Sequence, residues 1–112
     1  MSAIKDWNAY RTALRERGRE LSALHPELVK AFTALSGAAA KTQHLDAKTR
    51  ELIAVAITAI TTCEGCMDAH VRKAKAAGAT REEIAEALGV AVALSAGSAF
   101  THALHVLDAA AE

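Results

Sequence analysis

The sequence is poor in the residues that interrupt helices and in those that build sheets. It has one proline, and aromatic residues make up only 4% of its 112 residues. Alanine supplies much of the 52% apolar fraction, and alanine is the strongest helix former, whereas β-branched and aromatic residues favour strands. The composition predicts an all-α protein. We expect one domain over residues 1–112, because a chain of this length supports one hydrophobic core.

The sequence also lacks an excess of charge and a long hydrophobic run. Lys plus Arg equals Asp plus Glu, so the net charge favours neither nucleic acid nor an acidic lipid surface as a partner. Residues 1–11 contain no apolar segment typical of a signal peptide. The longest apolar runs are shorter than the roughly 20 residues that a membrane span requires. We therefore expect a cytoplasmic protein without a membrane segment.

Cysteine is scarce as well, and the two cysteines stand close together. Cys63 and Cys66 form a Cys-x-x-Cys pair, and His70 follows Cys66 by four residues. In a reducing compartment such a pair is more often catalytic or metal-binding than structural. On a helix, Cys66 and His70 share one face. Glu51 lies twelve residues before Cys63 and could orient His70 if the two helices cross.

Hydrophobic periodicity and the positions of Pro, Gly, Ser and Thr predict five to six helices. The first two cover residues 4–24 and about 26–40. The third follows an N-cap at Asp46, and its apolar residues surround the helix, which predicts burial in a core or in a subunit interface. Thr61 and Thr62 should end the third helix and cap the next.

The predicted fourth helix extends from Cys63 to about Ala77 and ends at Gly78. Thr80 and Glu83 form a capping box for the fifth. Glycine and serine between Ser95 and Ser98 predict a break before a last helix. Because alanine side chains bury little area, the core should be shallow and partner subunits should be needed.

The residues alone support a redox site and leave other interpretations open. A helix N-terminus favours thiolate over thiol, the thiolate is the nucleophile, and a neighbouring imidazole can move its proton. The cysteines could instead bind zinc or pack as inert thiols. Glu51 could be a carboxylate favoured by the helix dipole. His102 and His105, three residues apart, are more typical of a helix face or an interface than of ligands.

The order of these residues resembles a known family. Glu51, Cys63-Glu64-Gly65-Cys66 and His70, followed by the Gly78 turn and the Glu82-Glu83-Ile84 helix, are similar to the alkylhydroperoxidase D-like (AhpD-like) branch of the carboxymuconolactone decarboxylase family. The similarity covers about residues 20–110. It implies an all-helical bundle assembled as a homo-oligomer, commonly a trimer or hexamer. Longer members contain two repeats, so oligomerisation would supply the half that this chain lacks.

The resemblance also implies roles for the site residues. Cys66 would attack a peroxide, Cys63 would resolve the sulfenate as a disulfide, and His70 with Glu51 would relay the proton. A lipoyl or thioredoxin-like dithiol protein would restore the thiols. We therefore expect a thiol-dependent alkyl hydroperoxide reductase or disulfide oxidoreductase that needs no cofactor. Well-studied members carry a histidine where this chain has Gly65, so one relay group is absent.

Two alternatives come from different functional classes. The first is a lyase of the decarboxylase type, acting on a small lactone with His70 and Glu51 as acid and base. The decarboxylase branch lacks the cysteine pair, which argues against this alternative. The second is a non-catalytic, zinc-binding assembly module.

Overall fold

The computed structural model describes residues 3–112, and five α-helices account for most of them. They are α1 (Trp7–Leu24), α2 (Pro26–Ala39), α3 (Ala47–Thr61), α4 (Glu64–Ala76) and α5 (Arg81–Ala110). Residues 3–112 contain no strand. The prediction of an all-α fold is confirmed, with five helices.

The described chain divides into two compact units, the first ending at Arg50 and the second covering Glu51–Glu112. In the first unit, α1 packs against α2. α1 begins three residues later than predicted, because Asp6 caps it by accepting the Ala9 backbone N–H at 3.0 Å. Pro26 opens α2, where its missing N–H costs no helical hydrogen bond.

The predicted N-cap of α3 is present. Asp46 Oδ1 accepts the Thr49 backbone N–H at 2.7 Å. This backbone hydrogen bond is the main reason that the pKa of Asp46 lies below its ordinary value, and the Thr49 side chain and the nearby Lys48 lower it further. Arg50 ties the preceding loop to the same helix turn by donating to the Ala40 carbonyl at 3.0 Å.

The second unit buries few side chains. In α3 only Glu51, Val55 and Thr58 are buried, and their spacing of four and three residues places them on one face. Ile57 and Ile60 remain 52% and 54% exposed, so the core of the single chain does not bury α3 on all sides, and burial in a subunit interface stays a prediction.

α5 continues without interruption for 30 residues, so the predicted break between Ser95 and Ser98 is wrong. A glycine inside a helix costs about 1 kcal/mol relative to alanine, and a serine costs less. Alanine and leucine on either side offset these costs. The predicted capping box is confirmed, because Glu83 N–H donates to Thr80 Oγ1 and Thr80 N–H donates to Glu83 Oε1.

α5 is also the helix, among residues 3–112, whose length and apolar composition would allow it to cross a bilayer. Length and composition alone are weak grounds for a membrane span. Only 6% of its apolar window is buried within the chain, and the exposed apolar side chains extend from Val90 to Leu107.

Candidate redox site

The connection between α3 and α4 places the first cysteine. Thr62 adopts a left-handed conformation with φ of +53°, a conformation that glycine usually occupies at the end of a helix. The Cys63 backbone N–H then donates to the Thr58 carbonyl at 3.2 Å, which closes the last turn of α3. Cys63 therefore lies between the end of α3 and the first residue of α4.

The N-cap of α4 is Cys63 itself. Its Sγ accepts the Cys66 backbone N–H at 3.3 Å. The prediction that Thr61 and Thr62 cap this helix is wrong, because the left-handed turn at Thr62 directs the chain so that the next residue takes the capping position. A sulfur here lies among the unpaired N–H groups of a helix start, which favour negative charge.

The two cysteines are joined as a disulfide, with their Cα atoms 5.2 Å apart. Both residues are partly exposed. The predicted placement of the two thiols within disulfide reach is confirmed, and neither cysteine is free among residues 3–112. A disulfide at a partly exposed helix start is open to attack by an external thiolate.

A hydrogen bond joins the other two predicted residues. His70 Nδ1 lies 2.6 Å from Glu51 Oε2. The Glu51 side chain is 7% exposed and the His70 side chain is 32% exposed. The first turn of α3 and the middle of α4 thus meet in the second unit, although Glu51 and His70 are 19 residues apart in the sequence.

This hydrogen bond determines which nitrogen of His70 is available. When Glu51 is ionised, its carboxylate can only accept, so Nδ1 carries the hydrogen and donates it to Glu51. In the neutral imidazole, Nε2 then has no hydrogen and can accept a proton. A buried carboxylate that is hydrogen-bonded to Nδ1 fixes the orientation of the imidazole as a general base and stabilises its protonated form.

The structure joins the four predicted residues in two pairs, and one member of each pair lies on α4. Cys63 and Cys66 are bonded, Glu51 and His70 are bonded, and His70 follows Cys66 by one turn of α4. Among residues 3–112, no group of three or more His, Cys, Asp or Glu side chains is arranged to hold a metal ion.

Sequence reasoning missed the part played by Thr62. A β-branched residue rarely adopts positive φ, so the sequence Thr61-Thr62-Cys63 carries no signal of the turn. The glycine at the end of α4, Gly78, was recognisable and has the predicted positive φ of +94°.

Comparison with known proteins gives a consistent picture. The model of the family described as the carboxymuconolactone decarboxylase family matches residues 26–109. An uncharacterized protein of Haemophilus influenzae is 44% identical over 104 residues, which cover 93% of this chain and 92% of that protein. Uncharacterized protein 4 of the cox locus of Paracoccus denitrificans is 46% identical over 81 residues, covering 70% of this chain and 73% of the relative.

Solved structures are similar in fold as well. The apo form of a carboxymuconolactone decarboxylase family protein from Legionella pneumophila superimposes with a TM-score of 0.73 and 34% identity, covering 89% of this chain and 90% of that one. A protein from Methanobacterium thermoautotrophicum superimposes with a TM-score of 0.70 and 32% identity, covering 75% of this chain and 94% of that one.

Proposed function

The chain belongs to the carboxymuconolactone decarboxylase family, and from this membership and the geometry of the site we propose that it is an AhpD-like, thiol-dependent hydroperoxide reductase or disulfide oxidoreductase. The supporting observation is that Cys66, one half of the Cys63–Cys66 disulfide, and His70, which is hydrogen-bonded to Glu51, lie on adjacent turns of α4. A dithiol site with an oriented imidazole beside it has the parts that two-electron thiol chemistry requires.

The first step acts on the reduced protein. The Cys66 thiolate attacks the terminal oxygen of a hydroperoxide, the O–O bond breaks, and the sulfur becomes a sulfenic acid. His70 removes the thiol proton through Nε2 and returns it to the departing alkoxide, which leaves as an alcohol. Glu51 accepts the Nδ1–H hydrogen bond throughout and stabilises the transient imidazolium.

The second step produces the disulfide that the structure contains. The Cys63 sulfur attacks the Cys66 sulfur, the S–O bond breaks, and water leaves. An external dithiol, such as a lipoyl or thioredoxin-like protein, then supplies two electrons by thiol–disulfide exchange and is itself oxidised. The sum is one hydroperoxide and one dithiol converted to one alcohol, one water and one external disulfide.

Cysteine substitutions test this proposal. Cys66→Ser should abolish peroxide-dependent consumption of an external dithiol, because no sulfenic acid can form. Cys63→Ser is the matched variant, since it keeps the attacking sulfur and removes only the resolving one. It should lose turnover but still form a sulfenic acid that dimedone traps and mass spectrometry detects.

Turnover that persists in Cys66→Ser would contradict the proposal. A sulfenic acid that forms on Cys63 in Cys66→Ser, with none on Cys66 in Cys63→Ser, would reverse the roles of the two sulfurs. Circular dichroism of both variants establishes that the helices are retained.

The Glu51–His70 pair also favours a second candidate function. A carboxylate-oriented imidazole can remove a proton next to a carbonyl without any thiol, which is what a lyase acting on a small lactone would require. Alkylation of both reduced thiols with iodoacetamide separates the two functions. Lactone turnover that survives alkylation, together with no peroxide-dependent thiol oxidation before it, would establish the lyase.

We further propose that the chain acts as a homo-oligomer, a trimer or hexamer, in the cytoplasm. The buried apolar residues of the described chain are only Val55, Ala74 and Ala91. Large apolar side chains on α5 are exposed instead, including Phe100 at 69% and Leu107 at 68%. An exposed apolar surface of this kind marks an interface, and a second copy of the chain offers the same surface in return.

A further inference from the structure

The C-terminal half of α5 carries two histidines in a stretch that has no other ionisable side chain. Between Glu86 and Asp108 the helix has no acidic or basic side chain apart from His102 and His105. Both residues are exposed. Their rings lie with centroids 5.4 Å apart and planes inclined at 79°. Neither histidine takes part in the chemistry proposed for the disulfide site.

A hydrogen bond sets the tautomer of His102. Its Nδ1 lies 3.1 Å from the Ser98 carbonyl oxygen, and a carbonyl oxygen only accepts, so Nδ1 carries the hydrogen. The neutral ring therefore presents Nε2 as an electron-pair donor. Metal-ligating histidines usually donate their other ring N–H to a backbone carbonyl or carboxylate in this way.

The spacing of the two rings fits one metal ion. A nitrogen ligand about 2.1 Å from a metal places the ion roughly 3.2 Å from the ring centroid, so two imidazoles at a tetrahedral angle have centroids roughly 5.2 Å apart. The observed 5.4 Å agrees with this value. We propose that His102 and His105 form a two-imidazole chelate for a divalent transition metal such as Zn²⁺ or Cu²⁺, at one ion per chain.

The surroundings leave room for the rest of the coordination sphere. An open groove of about 540 Å³ borders His102 and is lined by Ala93, Leu94, Gly97, Ser98, Thr101 and His102. Small side chains and hydroxyl groups on this wall admit water, which completes the coordination of a site with only two protein ligands. Imidazole nitrogen is a ligand that suits both Zn²⁺ and Cu²⁺.

Calorimetric titration of the oxidised full chain with Zn²⁺ tests the site. Using the disulfide form removes the thiols as competing ligands. We expect one ion per chain, and the substitutions His102→Ala and His105→Ala should each weaken binding by at least about tenfold. His44→Ala is the matched control, because it removes an exposed histidine from a loop and should leave the affinity unchanged.

Electron paramagnetic resonance of the Cu²⁺ form gives a second readout. The wild-type spectrum should show hyperfine coupling to two imidazole nitrogens, and each single variant should show one. Zn²⁺ affinity that is the same in wild type, His102→Ala and His105→Ala would overturn the proposal. Equal weakening by His44→Ala would overturn it too. Because the redox cycle does not use these histidines, peroxide-dependent turnover should be unchanged in both variants, whatever the outcome for Cys66.

Discussion

At the scale of single residues, the site depends on a buried carboxylate. Glu51 is 5% exposed, and burying a charge is costly unless a hydrogen-bonding partner compensates. His70 is such a partner at 2.6 Å. A leucine at this position would suit the apolar face of α3 better, so the carboxylate is best explained by what it does to the imidazole.

Glu51→Gln tests this explanation with little change in shape. The amide still hydrogen-bonds but carries no charge, so it stabilises the imidazolium less. We expect peroxide-dependent turnover to fall by at least about tenfold, within the range that general acid–base groups contribute. Steady-state kinetics with a dithiol donor measure it. Glu86→Gln, an exposed glutamate on α5, is the control, and equal rates in both variants would show that Glu51 is only structural.

At the scale of the elements, two helix ends illustrate different costs of the left-handed conformation. Gly78 ends α4 with φ of +94°, and the Ala79 N–H donates to the Ala74 carbonyl at 2.9 Å. Thr62 ends α3 with φ of +53° in the same manner. The left-handed conformation costs little free energy for glycine and more for a β-branched residue. The backbone of Thr62 is therefore strained, and this is the residue whose turn positions Cys63.

Introducing glycine at position 62 and removing it at position 78 should have opposite effects on stability. Thr62→Gly removes the steric cost and should raise the free energy of unfolding by about 1 kcal/mol, whereas Gly78→Ala introduces that cost and should lower it by about 1–2 kcal/mol. A Cβ at Gly78 meets no atom within 4 Å, so the effect would be conformational. Urea denaturation measures both, and a destabilised Thr62→Gly would contradict the strain.

The cap of α3 makes stability depend on pH. The hydrogen bond from the Thr49 backbone lowers the pKa of Asp46 from 3.8, so the folded state favours the ionised form. The stabilisation is complete above the unfolded pKa and is lost as the pH falls through the lower, folded pKa. The urea midpoint of wild type should therefore exceed that of Asp46→Ala at pH 7, and the difference should shrink below about pH 4. A constant difference across this range would contradict the prediction.

At the scale of the whole molecule, exposed apolar surface is the dominant feature. Charged substitutions on a solvated helix face are usually neutral, within about 0.5 kcal/mol, but the same substitution inside an interface buries an unpaired charge. A charged substitution on α5 can distinguish a solvated helix face from an interface, because the apolar side chains of α5 are exposed in the single chain.

Phe100→Glu should dissociate the proposed oligomer. Light scattering coupled to size-exclusion chromatography, in buffer without detergent, should give a trimer or hexamer for wild type and a smaller species for the variant. Glu86→Lys changes a charge on the same helix outside the apolar stretch and should keep the wild-type mass. A wild-type monomer would exclude the oligomer, and a requirement for detergent would favour a membrane partner for α5.

The sequence by itself determined the helical class, the caps at Asp46 and Thr80, the glycine stop at Gly78 and the spacing of Cys63 and Cys66, because each depends on local backbone chemistry within a few residues. Only the tertiary structure decided that Glu51 reaches His70, that Thr62 takes the left-handed turn, and that α5 continues through Ser95–Ser98. The first feature depends on how α3 and α4 cross, which involves residues 19 positions apart in the sequence. The other two are balances of small local costs, and a sequence pattern does not show which side of such a balance is lower in free energy.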